Sequence, residues 1–145
     1  MSIWHGAPTL ESIMERIPNT IEEQLGVVYT GIGDDWIRAS MPVDHRTVQP
    51  MRLLQGGASV VLAESLGSLG AALTVDPAKY SVVGLDINAN HVRGVPEGGG
   101  PVHGTARPLH RGARTQVWQI EIRDPADKLV CVSRLTVAVL ARAAD

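Results

Sequence analysis

The chain has 145 residues, a formal net charge of −2 and 44% hydrophobic residues, enough for one domain (residues 1–145) with a real core. The balanced charge leaves no electrostatic footprint for nucleic acid. With three Trp, two Tyr, no Phe and one Cys, the core has to be built from Val, Leu, Ile and Ala, and an internal disulfide is excluded.

Met1 to Gly6 lacks the basic start and apolar run of a leader. With the lone Cys131, which fits a reducing compartment, this points to a cytoplasmic location. Thr9 to Ile17 reads as a short helix, with Thr9 and Ser12 as possible caps and Pro18 as its stop. Gly26 to Gly31 and Trp36 to Val43 read as strands, and the Gly31–Asp35 turn between them makes a hairpin. A loop from Asp44 to Leu54 carries Gln49-Pro50.

The next segment is the most informative one. Ala58 to Leu73 is apolar or small on every face and holds one ionisable side chain, Glu64. A helix of that kind is buried in a core or a membrane; its length and its serines and glycines favour a core, so no membrane partner is expected. A carboxylate inside it has to be paired, protonated or functional. The helix is predicted from Gly56 to about Val75, ended by Asp76-Pro77. Four strands follow: Ser81 to Val92, Val102 to Pro108, Thr115 to Arg123 and Leu129 to Leu140, with turns at Gly98–Gly100, Arg111-Gly112 and Asp124-Pro125. Gln116 to Ile122 and Arg134 to Val139 alternate as half-exposed strands do. The economical arrangement is α+β: one antiparallel sheet curled around the long helix.

Several runs carry a resemblance. Met41-Pro42-Val43-Asp44, Gln49-Pro50, Leu53-Leu54-Gln55-Gly56-Gly57 through Ala63-Glu64-Ser65, Gly84 to Arg93 and Gln116 to Ile122 resemble the hotdog-fold acyl-CoA thioesterases. The 1,4-dihydroxy-2-naphthoyl-CoA and hydroxybenzoyl-CoA hydrolases are the nearest in look. The resemblance runs from about Leu10 to Leu140. It implies a hotdog fold and hydrolysis of an acyl-CoA with an aromatic or bulky acyl group. It also implies a homodimer or homotetramer whose active sites are shared between protomers. One departure stands out: the family pattern has His-Gly-Gly where this chain has Gln55-Gly56-Gly57. Gln55 can hydrogen-bond but cannot carry an imidazolium charge, so a slower enzyme is expected.

The chemistry can be argued from the residues themselves. Thioester hydrolysis needs a donor for the carbonyl oxygen and a base or nucleophile near the carbonyl carbon. The first amides of a helix are unpaired donors at a favourable dipole end, and Gly56 lets an acyl group come close; its N–H is the candidate oxyanion donor. Glu64 is eight residues on, so roughly 12 Å along the axis, too far to act on the same carbonyl. A second subunit's Glu64 would resolve this. Glu64 then acts as nucleophile through an anhydride, or as general base on water. Ser68, at i+4, shares its face and could hold the water. Gln49 matches the family glutamine that contacts the thioester region. By the same resemblance the nucleotide of CoA lies near the strand ends bearing His91, Arg93 and Arg114, where Arg pairs with phosphate. No metal or cofactor is assigned: the five His show no ligand spacing, and no phosphate-binding glycine loop is present. The alternatives are a hotdog hydratase or dehydratase, which would want a His–acid pair, and a non-catalytic or impaired acyl-thioester binder.

Overall fold

In the computed structural model, which describes residues 1–143, the chain order is α1 (Leu10–Met14), α2 (Ile21–Leu25), β1 (Val28–Ile32), β2 (Ile37–Met41), α3 (Gly56–Leu73), β3 (Tyr80–His91), β4 (Val102–Arg111), β5 (Thr115–Arg123) and β6 (Leu129–Ala141). Thr9 and Ser12 cap α1 together. Thr9 Oγ1 accepts from the Ser12 N–H and Ser12 Oγ from the Thr9 N–H, each at 3.1 Å, a reciprocal capping box. The helix ends at Met14 rather than Ile17. Beyond it Arg16 and Ile17 bond three residues back, to Ile13 and Met14, which tightens the chain toward Pro18.

A second short helix lies where the sequence reading placed only an approach to a strand. Thr20 caps α2, the Asn19 N–H donates to Glu23 Oε2 at 2.7 Å, and Gly26 closes the helix at φ 72°. Gly26 is thus a helix stop, and β1 begins at Val28.

The sheet order is β1-β2-β4-β5-β6-β3, antiparallel throughout, and α3 lies in its concave face, as the hotdog reading expected. β4 runs on to Arg111, past the predicted end at Pro108. Pairing with β2 stops at Ala106, and the register with β5 shifts between Pro108 and His110. A proline is tolerated where one side of a strand is free and the ladder bulges.

Leu62, Ala63 and Leu66 of α3 are fully buried in one core with Ile37, Ile120, Ile122 and Leu135. Gly70 permits a close approach: a Cβ there would lie 2.8 Å from the Trp118 ring. Trp118 is fully buried and donates through Nε1 to Gln116 Oε1 at 2.9 Å, and Gln116 donates on to Thr74 Oγ1 at 2.9 Å. That chain of bonds ties the C-terminal end of α3 to the sheet. The opposite face of α3, including Val61, Glu64, Ser68 and Leu69, is only half-buried. β3 is a free edge twelve residues long, with Val83 46% and Leu85 61% exposed.

Candidate active site

Two clefts open on α3. The first lies at its N-terminal mouth. Gln55 is the N-cap residue, and its Oε1 accepts from the Ala58 N–H at 3.0 Å. Its side chain therefore serves the helix start. Gly56 and Gly57 follow as the first two helical residues, and their N–H groups find no acceptor among the described residues. They are the orphan donors that every helix start leaves.

The preceding loop is tied down on both sides of Gln49. The Gln55 N–H donates to Thr47 O at 2.8 Å. Thr47, 2% exposed, donates through Oγ1 to Pro42 O at 2.7 Å and accepts from the Asp44 N–H at 3.1 Å. Arg46 pairs with Asp44 at 2.7 Å, and its hydrogen bonds hold the Asp44 carboxyl down at about 2. Gln49 donates its N–H to Leu53 O at 2.8 Å, and its Oε1 accepts from the Met51 N–H. The Gln49 side-chain NH₂ is left as a donor on the cleft wall.

The mouth cleft, about 380 Å³, is lined by Gln49, Gly56, Ser59, His91 and Arg93 among others. His91, at the end of β3, stands opposite Cys131 of β6. Its ring lies against Gly56: a Cβ at residue 56 would be 2.8 Å from Nε2. An imidazole thus stands beside the orphan amides, although residue 55 is not a histidine. The sequence reading had set His91 with the nucleotide contacts.

The second cleft, about 440 Å³, holds Glu64 and Ser68, with Tyr29, Glu22 and Val82 on its walls. Glu64 is half-buried and takes no hydrogen bond or ion pair from the described residues. Pairing, one of the fates open to a carboxylate in an apolar helix, is not seen among the described residues. Glu64 Oε1 lies over Gly84, where a Cβ would come within 2.6 Å. At this point β3 is irregular: the register with β6 shifts between Gly84 and Asp86, leaving Leu85 without a partner. Bulges of this kind re-aim neighbouring groups. Here the bulge sits where the carboxylate meets the strand.

The structure therefore brings Gln49, Gly56, His91 and Arg93 together, and separately Glu64 and Ser68. Gln55 lines neither cleft. Arg114 is also apart. Its carbonyl accepts from the Val139 N–H, and its neighbour Thr115 pairs with Ala138, which pairs with Val83. Val83 is eight residues along β3 from His91, roughly 26 Å at strand rise. Sequence reasoning missed Thr47, Ser59, Gly84 and the Tyr29–Glu22 pair. Only Thr47 left a local signal, as a small hydroxyl in a loop that begins with Asp.

Comparison with known proteins gives one consistent answer. The pattern described as the thioesterase superfamily matches residues 52–131. The 1,4-dihydroxy-2-naphthoyl-CoA hydrolase of Escherichia coli (strain K12) is 51% identical over 138 residues, 95% of this chain and 99% of that protein. The proofreading thioesterase EntH of Cronobacter sakazakii is 46% identical over 95% of this chain and 98% of its own length. Among solved structures, a thioesterase of Pseudomonas aeruginosa, crystallised with one glutamine replaced by alanine, superposes with a TM-score of 0.94 at 45% identity, covering 97% of this chain and 100% of that one.

Proposed function

Because the chain belongs to the thioesterase superfamily and is a thioesterase of the hotdog fold, we propose that it hydrolyses an acyl-CoA thioester carrying an aromatic or similarly bulky acyl group to the free acid and CoA. The acyl class is carried over from the naphthoyl-CoA hydrolase among its relatives. A cytoplasmic location belongs to this reading and rests on the unpaired Cys131.

The observation that carries the mechanism is the division of the site between two clefts of one helix. The Gly56 N–H receives the carbonyl oxygen as negative charge develops on it. The Gln49 NH₂ and the His91 ring stand on the same wall and orient the thioester. Glu64 supplies the attack. As a nucleophile it forms an anhydride, the C–S bond breaks, CoA leaves as the thiolate and water then cleaves the anhydride. As a general base it takes a proton from water that attacks the same carbon. Ser68, one turn on, holds that water. Gln55 acts through the cap it gives α3, Arg93 pairs with a phosphate of CoA at the mouth cleft, and Arg114, far from it in the same protomer, reaches the phosphates only from the second protomer.

One protomer cannot bring both clefts to one carbonyl. We therefore place the active sites between two protomers related by a two-fold axis, each giving Gly56 to one site and Glu64 to the other. The half-covered face of α3 and the apolar free edge of β3 supply the surface such a dimer buries; pairing of dimers gives a tetramer. Nothing in this scheme draws on a metal or cofactor. Release of free thiol from a panel of acyl-CoAs tests the activity. After a single turnover in ¹⁸O-water, label in the Glu64 carboxylate marks it as the nucleophile, with water cleaving the anhydride at the Glu64 carbonyl, while trapping of the acylated Glu64 covers cleavage at the other carbonyl.

A further inference from the structure

The Glu64 cleft contains a polar pair that the hydrolytic chemistry does not use. Its walls mix the apolar Ile13, Ile17, Leu69, Ala72 and Val82 with Ser65 and with Arg16, which makes no ion pair to Glu22. Into this lining comes Tyr29 of β1, only 4% exposed, whose hydroxyl donates to Glu22 Oε1 of α2 at 3.4 Å. Burial first, and then the charge and hydrogen bond of Glu22, raise the phenol pKa, so the proton stays on Tyr29 at any working pH. A phenol has one proton to give, and here it goes to the carboxylate.

Glu22 is half-buried and takes no other side-chain hydrogen bond among the described residues. An ionised carboxylate has about four acceptor positions and no donor. One is filled by Tyr29, and the others on the cleft side are open to whatever occupies it. Once an acyl group fills the cleft and expels water, the acceptor positions of Glu22 that Tyr29 does not fill lose their donors, which carries a desolvation cost. A site built this way accepts a ligand that brings a donor and rejects the isostere that lacks one, by more than a purely apolar wall could manage.

We propose that Glu22, held in place by Tyr29, is a specificity-determining residue that reads a hydrogen-bond donor, a hydroxyl or amino group, carried by the acyl group bound beside Glu64. This rests on the thioesterase reading above. It adds a requirement that the catalytic groups do not impose: Glu22 and Tyr29 share the cleft of Glu64 and Ser68 but make no hydrogen bond to either.

The test compares benzoyl-CoA with its hydroxy- and amino-substituted forms, each at the meta and para positions, in the parent, Glu22→Ala and Tyr29→Phe proteins. For the parent, the best donor-bearing ester is expected to exceed benzoyl-CoA in kcat/KM by about tenfold or more. Glu22→Ala should bring that ratio to within about twofold, by slowing the substituted ester and leaving benzoyl-CoA within about threefold of the parent. Tyr29→Phe keeps the ring that packs the cleft, so it stands in should Glu22→Ala disturb α2; the ratio is expected to fall between the other two. Hydrolysis with the same ratio in all three proteins overturns the role of Glu22 and leaves the thioesterase reading intact. A parent that releases thiol from no acyl-CoA overturns the thioesterase reading, and this inference with it.

Discussion

The imidazole of His91 rests on the backbone of Gly56, with Nε2 2.8 Å from where a Cβ at residue 56 would stand. A strand end and a helix start, 35 residues apart in the chain, therefore make one surface. Alanine is the better helix former, so Gly56→Ala should leave α3 intact. Its methyl group has to push the ring aside. The expected result is a fall in kcat of about a hundredfold, the scale for a reacting group displaced by an ångström, with little change in melting temperature. Steady-state kinetics and a thermal melt on the same preparation check it.

Glu64 and Gly84 offer a matched pair of changes. Glu64→Ala removes the proposed attacking group and should lower turnover by about three orders of magnitude or more while the protein still folds. Gly84→Ala keeps the carboxylate and moves it, since the added Cβ would lie 2.6 Å from Oε1. A flexible side chain yields easily, so the fold should hold while kcat drops and KM changes less. Turnover of Glu64→Ala within tenfold of the parent would remove Glu64 from the mechanism.

Gln55 is expected to show two separable effects. Gln55→Ala removes the bond to the Ala58 N–H and should cost about 1 kcal/mol of stability, the usual worth of an N-cap. Gln55→His sets a second ring beside the Gly56 amide and is expected to raise kcat by about tenfold, with a smaller change in KM. A melting curve reads the first and steady-state kinetics the second. An unchanged or lower kcat for the histidine form would mean that the amide cap itself suits this site.

Assembly can be tested by complementation. Glu64→Ala and Gly56→Trp proteins, each inactive alone, should regain about a quarter of parental activity after mixing and refolding, because half the dimers are hybrids and one site in each is intact. Leu85→Lys on the free edge of β3 should give an inactive monomer by light scattering. An active monomer would contradict the division of the site.

Arg93 and Arg114 stand far apart in one protomer, on either side of β3's length. Reversing the charge of Arg93 should raise KM for acyl-CoA and lessen its dependence on salt, while a short thioester without the nucleotide should be indifferent. Equal effects on both substrates would mark the residue as structural.

Much of this architecture was legible in the sequence, and the reasons are local. Glu64 stood out because a single charge in an apolar helix has few explanations. β5 announced itself by alternation, and its residues from Gln116 onward do alternate between buried and half-buried. The loop–helix junction at Gln55-Gly56-Gly57 was also plain. α2 was overlooked because five residues show no apolar period, although Thr20, Glu23 and Gly26 spelled out its start and stop. The contacts of His91 with Gly56, of Glu64 with Gly84 and of Tyr29 with Glu22 were not legible. The first two depend on how the curled sheet sets β3 against α3 and the third on how α2 turns into β1, and no spacing rule along the chain encodes either. Gln55 shows the converse: its identity was conspicuous, and its cap on α3 became visible only with its rotamer.

Tyr29 and Glu22 sit on β1 and α2, at the sheet edge opposite β3. The mouth of α3 and the proposed dimer edge lie elsewhere, and Glu64, which shares the cleft of Tyr29 and Glu22, is carried by α3. Choice of substrate is thereby mounted on parts that perform no bond-making and no assembly. Mutations in β1 and α2 can retune which acids the protein releases without disturbing the machinery that releases them.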